Sequence, residues 1–161
     1  MSPVTTSQRA LFDLLVALGE REKVVLYLVG GYVRDILLGH SLSDKDIDLL
    51  VDGNALHFAD AVASDLGGAV KKFPTFFTAK IERLSNFAGI EEVDLASSRT
   101  EIYLSPGKLP SVSLAPLAED LKRRDFTINA MAISLKSLLG GFLFRRFCFF
   151  LSRFLFRFWS F

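Results

Sequence analysis

Between residues 7 and 22 apolar side chains recur at Leu11, Leu14, Leu15 and Leu18, a helical period, and Ser7 stands where the N-cap of such a helix belongs. Residues 24–29 form a β-rich run that ends at Gly30-Gly31, and residues 47–51 form a second apolar strand; a short helix over 32–38, stopped by Gly39, joins them. An amphipathic helix is predicted over 54–66, capped by Asn54 and ended by Gly67-Gly68. Strand, turn, strand follows over 69–73 and 76–83 around Pro74, and residues 91–95 add a further short strand carrying Asp94 between Val93 and Leu95. The Ser-, Pro- and Gly-containing stretch 97–115 has few periodic apolar positions and reads as a mobile loop that closes over a site; helix returns over 117–124.

A chain of 161 residues, half of them hydrophobic, suffices for one ordinary domain with a sizeable core. The net charge of +1 conceals an asymmetry, because residues 142–161 carry four Arg and no acid, which leaves 15 basic against 18 acidic residues before them. That part is not a basic nucleic-acid glove, since backbone affinity for nucleic acid comes from clustered Lys and Arg. One cysteine, Cys148, excludes an intramolecular disulfide and a CxxC zinc site, and with no signal peptide at the start a reducing, cytoplasmic location is expected.

Candidate chemistry concentrates in LVGGYVRDILLGHSLSDKDIDLLV at 28–51. Two glycines, Gly30 and Gly31, let backbone approach a polyphosphate closely, the opening of the following helix offers unpaired N–H groups, and Arg34 adds a planar fork of donors. Asp44, Asp46 and Asp48 then alternate. Side chains two apart on a strand share a face about 6.6 Å apart, and such a pair suits Mg²⁺, which takes one or two carboxylates and leaves its other positions to water and phosphates. Asp46 and Asp48 flank Ile47 and lead into Leu49-Leu50-Val51, so they are the favoured metal pair; Asp44 with Asp46 keeps the same spacing and is the competing register.

The runs LVGGYVRDILLG, DIDLLVDGNA and RRDFTINAMAI, with VDLASSRTEIY, PGKLPSV and EDLKRRDF between them in order, resemble the head domain of the class II tRNA nucleotidyltransferases, the CCA-adding enzymes, and their bacterial poly(A) polymerase relatives. The resemblance covers about residues 27–133. It implies an α/β (α+β) nucleotidyltransferase fold of the DNA polymerase beta type, a mixed, mostly antiparallel sheet with flanking helices. The activity implied is Mg²⁺-dependent attack of an RNA 3′-hydroxyl on the α-phosphorus of ATP or CTP, adding CCA or part of it to tRNA and releasing pyrophosphate. Asp46, Asp48 and Asp94 are then the catalytic carboxylates, with Asp46 and Asp48 on the metal. Gly30, Gly31, Arg34, Arg124 and Asp125 contact the nucleotide, and Asn129 lies near the ribose. Arg99 stays open between a motif position and a loop arginine. Glu119 to Arg123 match an EDxxR pattern but are read as the ordinary approach to RRDFTINA, and Arg123 as a solvated helix-end residue.

The nucleotidyltransferase head is expected over 1–137, followed by an atypical tail over 138–161 that holds nine of the 16 Phe. Arg145, Arg146, Arg153 and Arg157 argue against a membrane span there, because each would cost roughly 2.5–3.5 kcal/mol near a bilayer centre. A truncated or frame-shifted gene end is the favoured explanation, with the family's neck, body and tail absent. A poly(A)-type adenylyltransferase and a non-catalytic nucleotide-binding fragment are the alternatives; a Rossmann dehydrogenase fits poorly, since Gly30-Gly31 lacks the remaining glycines of GxGxxG. The choice among CCA, A-only and CC-only addition, and the oligomeric state, are not encoded in these motifs.

Overall fold

The computed structural model describes residues 4–40, 46–84, 86–102, 105, 107–124 and 130–140. Helix α1 (Thr6–Glu22) starts two residues earlier than Ser7 suggests. Thr5 is the N-cap because Gln8, three residues on, closes a capping box: Thr5 Oγ1 accepts from the Gln8 N–H, and the Thr5 N–H donates to Gln8 Oε1. Leu11, Phe12, Leu15 and Leu18 form its buried stripe, while Leu14 faces outward. The chain then enters β1 (Val25–Val29), α2 (Gly31–Leu37), β2 (Asp46–Asp52), α3 (Ala55–Leu66), β3 (Ala69–Phe73) and β4 (Thr78–Glu82). A 3₁₀ turn, Pro74–Phe76, joins β3 to β4. After β5 (Glu92–Ser97) come β6 (Arg99–Ile102), β7 (Ser111–Leu114), α4 (Leu117–Lys122), β8 (Ala132–Ser134) and α5 (Leu135–Leu139).

Six strands form one sheet in the order β3-β4-β5-β2-β1-β8. Every neighbouring pair is antiparallel except β2 and β5, which run parallel with Asp46 opposite Glu92, Asp48 opposite Asp94 and Leu50 opposite Ala96. The expected mixed, mostly antiparallel sheet with flanking helices is therefore the observed one.

Period-2 alternation gives this sheet two different faces. On one, Leu26, Leu28, Ile47, Leu49, Val51, Ile81, Val93 and Leu95 meet the apolar stripes of α1, α3 and α5 in the main core, to which Leu135 and Leu138 also belong. On the other, Val29, Leu50 and Ala132 meet Leu121 of α4, with Leu117 packed alongside. Because α4 spans only six residues it covers only part of that second face.

Stretch 97–115 differs from the expected loop. Its ends pair as the antiparallel strands β6 and β7, with Arg99 opposite Leu114 and Ile102 opposite Ser111. Four-residue strands with little apolar content carry no recognisable alternation, which is why this hairpin escapes the sequence pattern.

Candidate active site

Asp46 and Asp48 project from the β2 face that α4 leaves open, while Ile47 and Leu49 between and after them anchor the strand in the core. The parallel register then sets Asp94 of β5 beside Asp48. Val29, Gly30 and Gly31 at the end of β1, Leu50, Asp48, Asp94 and Ala96, Phe73 and Thr78, and Arg124 line a single open cleft of about 560 Å³. Residues as far apart in sequence as Val29 and Arg124 thus line one cleft.

Gly30 makes the sharp exit from β1. Its φ of 69° and ψ of −133° lie in a region open essentially to glycine, its N–H donates to Met131 O (3.1 Å), and its carbonyl accepts from the Arg34 N–H (3.2 Å). Gly31 opens α2, where a Cβ would stand 3.4 Å from Arg34 Nη2. Arg34 itself is not on the cleft lining. Its fork grips Asp35 through Nε–Oδ1 (2.8 Å) and Nη2–Oδ2 (3.1 Å), a contact that raises the Arg34 pKa and lowers that of Asp35. Asp44, Asp125 and Asn129 lie outside the described residues.

The carboxylates crowd one another. Burial among the cleft walls raises the Asp48 pKa although the cleft mouth leaves the residue in contact with solvent; Asp46 and Glu92 push it further, and Lys80 and Arg124 oppose them. Asp94 is raised for the same first reason, burial, with Lys80 opposing and Glu92 and Asp48 adding to the rise. Lys80, on the same face of β4, is hydrogen-bonded to Glu92 Oε1 (2.6 Å) and stands 3.4 Å from Asp94 Oδ2. Its own pKa is raised, chiefly by the Glu92 bond.

Arg124 enters the cleft from just beyond α4, held by Asp120. Asp120 is 0% exposed; its Oδ2 accepts from Arg124 Nε (3.2 Å) and Nη2 (3.1 Å). Arg123 is not a solvated helix-end residue: it donates to Asp120 Oδ1 through Nε (3.1 Å) and Nη2 (2.8 Å), and its Nη1 pairs with Glu101 (3.0 Å). Arg99 pairs with Glu101 and donates to the Phe76 carbonyl, which resolves it as a bridge between β6 and the 3₁₀ turn rather than a loop arginine. Lys80, Glu92, Glu101 and Asp120 are the site-region residues that motif reading missed. An Asp three and four positions before two arginines on a helix is a pairing signal that could have found Asp120; nothing in the sequence registers Lys80 against Asp94.

A sheet with adjacent carboxylates on a parallel strand pair, facing a glycine turn and an arginine across a cleft, defines the nucleotidyltransferase class. Residues 26–140 match the poly(A) polymerase head domain, and the chain belongs to that family. It is 44% identical over 126 residues to the A-adding tRNA nucleotidyltransferase of Halalkalibacterium halodurans, covering 76% of this chain and 28% of that protein. Among solved structures it resembles a CCA-adding enzyme in an apo form (TM-score 0.69, 44% identity, 81% of this chain and 30% of the other). It also resembles the Thermotoga maritima CCA-adding enzyme complexed with tRNA (TM-score 0.61, 39% identity, 78% and 26%). The chain spans less than a third of the length of each of these relatives.

Proposed function

We propose that this chain is the catalytic head of a cytoplasmic tRNA nucleotidyltransferase that transfers a nucleotide from ATP or CTP to the 3′ end of tRNA and releases pyrophosphate. The observation that carries the reading is the register of β2 on β5, which sets Asp48 beside Asp94 on the wall of a cleft also lined by Gly30, Gly31 and Arg124. On this reading the head comprises residues 1–137 together with the rest of α5, since Leu138 is buried in the main core. No helix among the described residues is long and apolar enough to cross a membrane.

The donor set suits a hard divalent cation. Asp46 and Asp48 are carboxylates with no hydrogen-bond or ion-pair partner among the described residues, and the Asp48 pKa is raised first by burial and then by Asp46 and Glu92, both of which a bound cation would offset. Mg²⁺ takes one or two carboxylates and completes its shell with water and phosphate, a demand this pair on β2 meets. Asp46 and Asp48 would hold it, with Asp94 alongside. When bound, Mg²⁺ supplies a lowered pKa for the attacking hydroxyl and neutralises charge on the leaving pyrophosphate.

The chain's own groups do the rest. Gly30 and Gly31 admit the triphosphate close to backbone and Arg124 offers a planar donor edge to it; the family resemblance assigns Asp125 and Asn129, outside the described residues, to the sugar. Lys80, 3.4 Å from Asp94 Oδ2, opposes the burial that raises the Asp94 pKa and orients its carboxylate. Among the described residues Arg34 keeps its outer guanidinium edge free beside Asp35 but does not line the cleft, so it takes a smaller role than Arg124.

The relatives it resembles include an A-adding and a CCA-adding enzyme, and on this reading the cleft contacts the phosphates rather than the base. The test is to replace the head of the H. halodurans relative by residues 4–140 of this chain and supply Mg²⁺, tRNA lacking its terminal nucleotide, and α-labelled ATP. Label should pass to the tRNA with stoichiometric pyrophosphate. ATP binding with no transfer would instead favour a non-catalytic nucleotide-binding head.

A further inference from the structure

We propose that Asp120 is a positioning residue for the nucleotide site, its carboxylate setting the guanidinium of Arg124 so that the remaining donor edge meets the triphosphate. The inference rests on the reading of Arg124 as a triphosphate contact. Asp120 lies wholly inside the protein, and its two oxygens divide their work. Oδ1 accepts from the Arg99 backbone N–H (3.3 Å) and from Arg123 Nε and Nη2 (3.1 and 2.8 Å). Oδ2 accepts only from Arg124 Nε and Nη2 among the described residues.

A buried carboxylate must be paired, and Oδ1 with its three donors already ties α4 to β6. Glu101 completes that structural ring by joining Arg99 to Arg123. Oδ2 adds something different: it occupies one edge of the Arg124 guanidinium, and no described residue takes a hydrogen bond from Nη1. A guanidinium held on its Nε edge presents its Nη donors as a fixed fork, the geometry that recognises phosphate bidentately. Arg124 also lines the cleft, and its charge reaches Asp48. A free arginine would lose side-chain freedom on binding the nucleotide; this one has already lost it.

The test is equilibrium dialysis of Mg·ATP, with adenosine as the phosphate-free control, against the full 161-residue chain and four variants: Asp120→Asn, Arg124→Lys, both together, and Glu101→Gln. Arg124→Lys should weaken ATP about tenfold, Asp120→Asn by a similar factor, and the double variant by no more than about twofold beyond Arg124→Lys alone, since both remove one contact. Adenosine affinity should not change, and Glu101→Gln, which disturbs the ring but not Oδ2, should bind ATP as the parent does. Factors that multiply to about a hundredfold in the double variant, or an Asp120→Asn chain that binds ATP normally, would overturn the positioning role while leaving the Arg124 contact intact. Normal ATP binding by Arg124→Lys, or none by the parent chain, would remove the contact itself and the proposal with it. Should circular dichroism show Asp120→Asn unfolded, Asp120→Glu replaces it, retaining the charge but displacing the oxygens by one methylene, with the same expected coupling to Arg124.

Discussion

At Asp48 the needs of the site oppose those of the fold. Its pKa is raised above the ordinary 3.8, first by burial and then by Asp46 and Glu92. The folded state therefore holds the Asp48 proton more tightly than the unfolded chain does, so this group favours folding at low pH and opposes it once pH rises through the folded pKa. Asp48→Asn removes the charge that is costly at neutral pH. Because solvent screens a carboxylate this exposed, it should raise Tm by only about 1 °C at pH 7 without divalent ions, and the difference should vanish below the unfolded pKa of 3.8. Thermal unfolding at the two pH values checks this; a lower Tm at pH 7 would mean that Asp48 has a stabilising partner. Gly30 presents the opposite case. At its φ of 69° and ψ of −133° an alanine is strained, and Gly30→Ala should cost about 1–3 kcal/mol in urea unfolding and weaken ATP as the turn is displaced.

Among the elements, α3 shows most clearly how sequence becomes site. Asn54 Oδ1 accepts from the N–H groups of Leu56 and His57 (3.0 and 3.1 Å), and buried Ser97 Oγ accepts from that of Ala55 (2.9 Å). The helix start is thereby fixed to the end of β5, the strand that carries Asp94. Asn54→Ala should destabilise the chain by about 1 kcal/mol with its cleft chemistry unchanged, measured by urea unfolding alongside ATP binding. This helix and its Gly67 end are legible from the Asn cap and the apolar period, as are β1, β2 and the strand pair around Pro74. Thr5 as the true cap of α1 was legible too, through Gln8, but Ser7 stood nearer the apolar run. The β6–β7 hairpin was not legible: beside its strand pairing it is tied down by the ionic ring of Arg99, Glu101, Arg123 and Asp120, whose two halves, on β6 and at the end of α4, are distant in sequence.

Across the whole molecule, the candidate site is an outcome of topology. The Gly-Gly turn and the Asp alternation announce themselves locally, whereas the adjacency of Asp48 and Asp94 exists only because β2 and β5 pair in parallel with α3 and the β3–β4 hairpin between them. Lys80 joins them through the same sheet and leaves no local trace. The described cleft contacts that point to a nucleotide, Gly30, Gly31 and Arg124, are suited to phosphate rather than to a base. ATP and CTP should therefore bind the 161-residue chain with Kd values within about threefold of each other, a difference below about 0.7 kcal/mol. Tenfold discrimination in parallel titrations would require a base-reading group within the head.

Nucleotide transfer by the head-swapped enzyme, compared among Asp46→Ala, Asp48→Ala and Asp44→Ala, tests the catalytic assignment most directly. Loss of a metal-binding carboxylate removes several kcal/mol of transition-state stabilisation. The single-turnover rate of label transfer from ATP to tRNA should therefore fall at least about a thousandfold for Asp46→Ala and for Asp48→Ala, and no more than a few-fold for Asp44→Ala. Full activity in the Asp48→Ala enzyme, with Asp44→Ala inactive, would contradict the assignment and move the metal pair two residues toward the chain start.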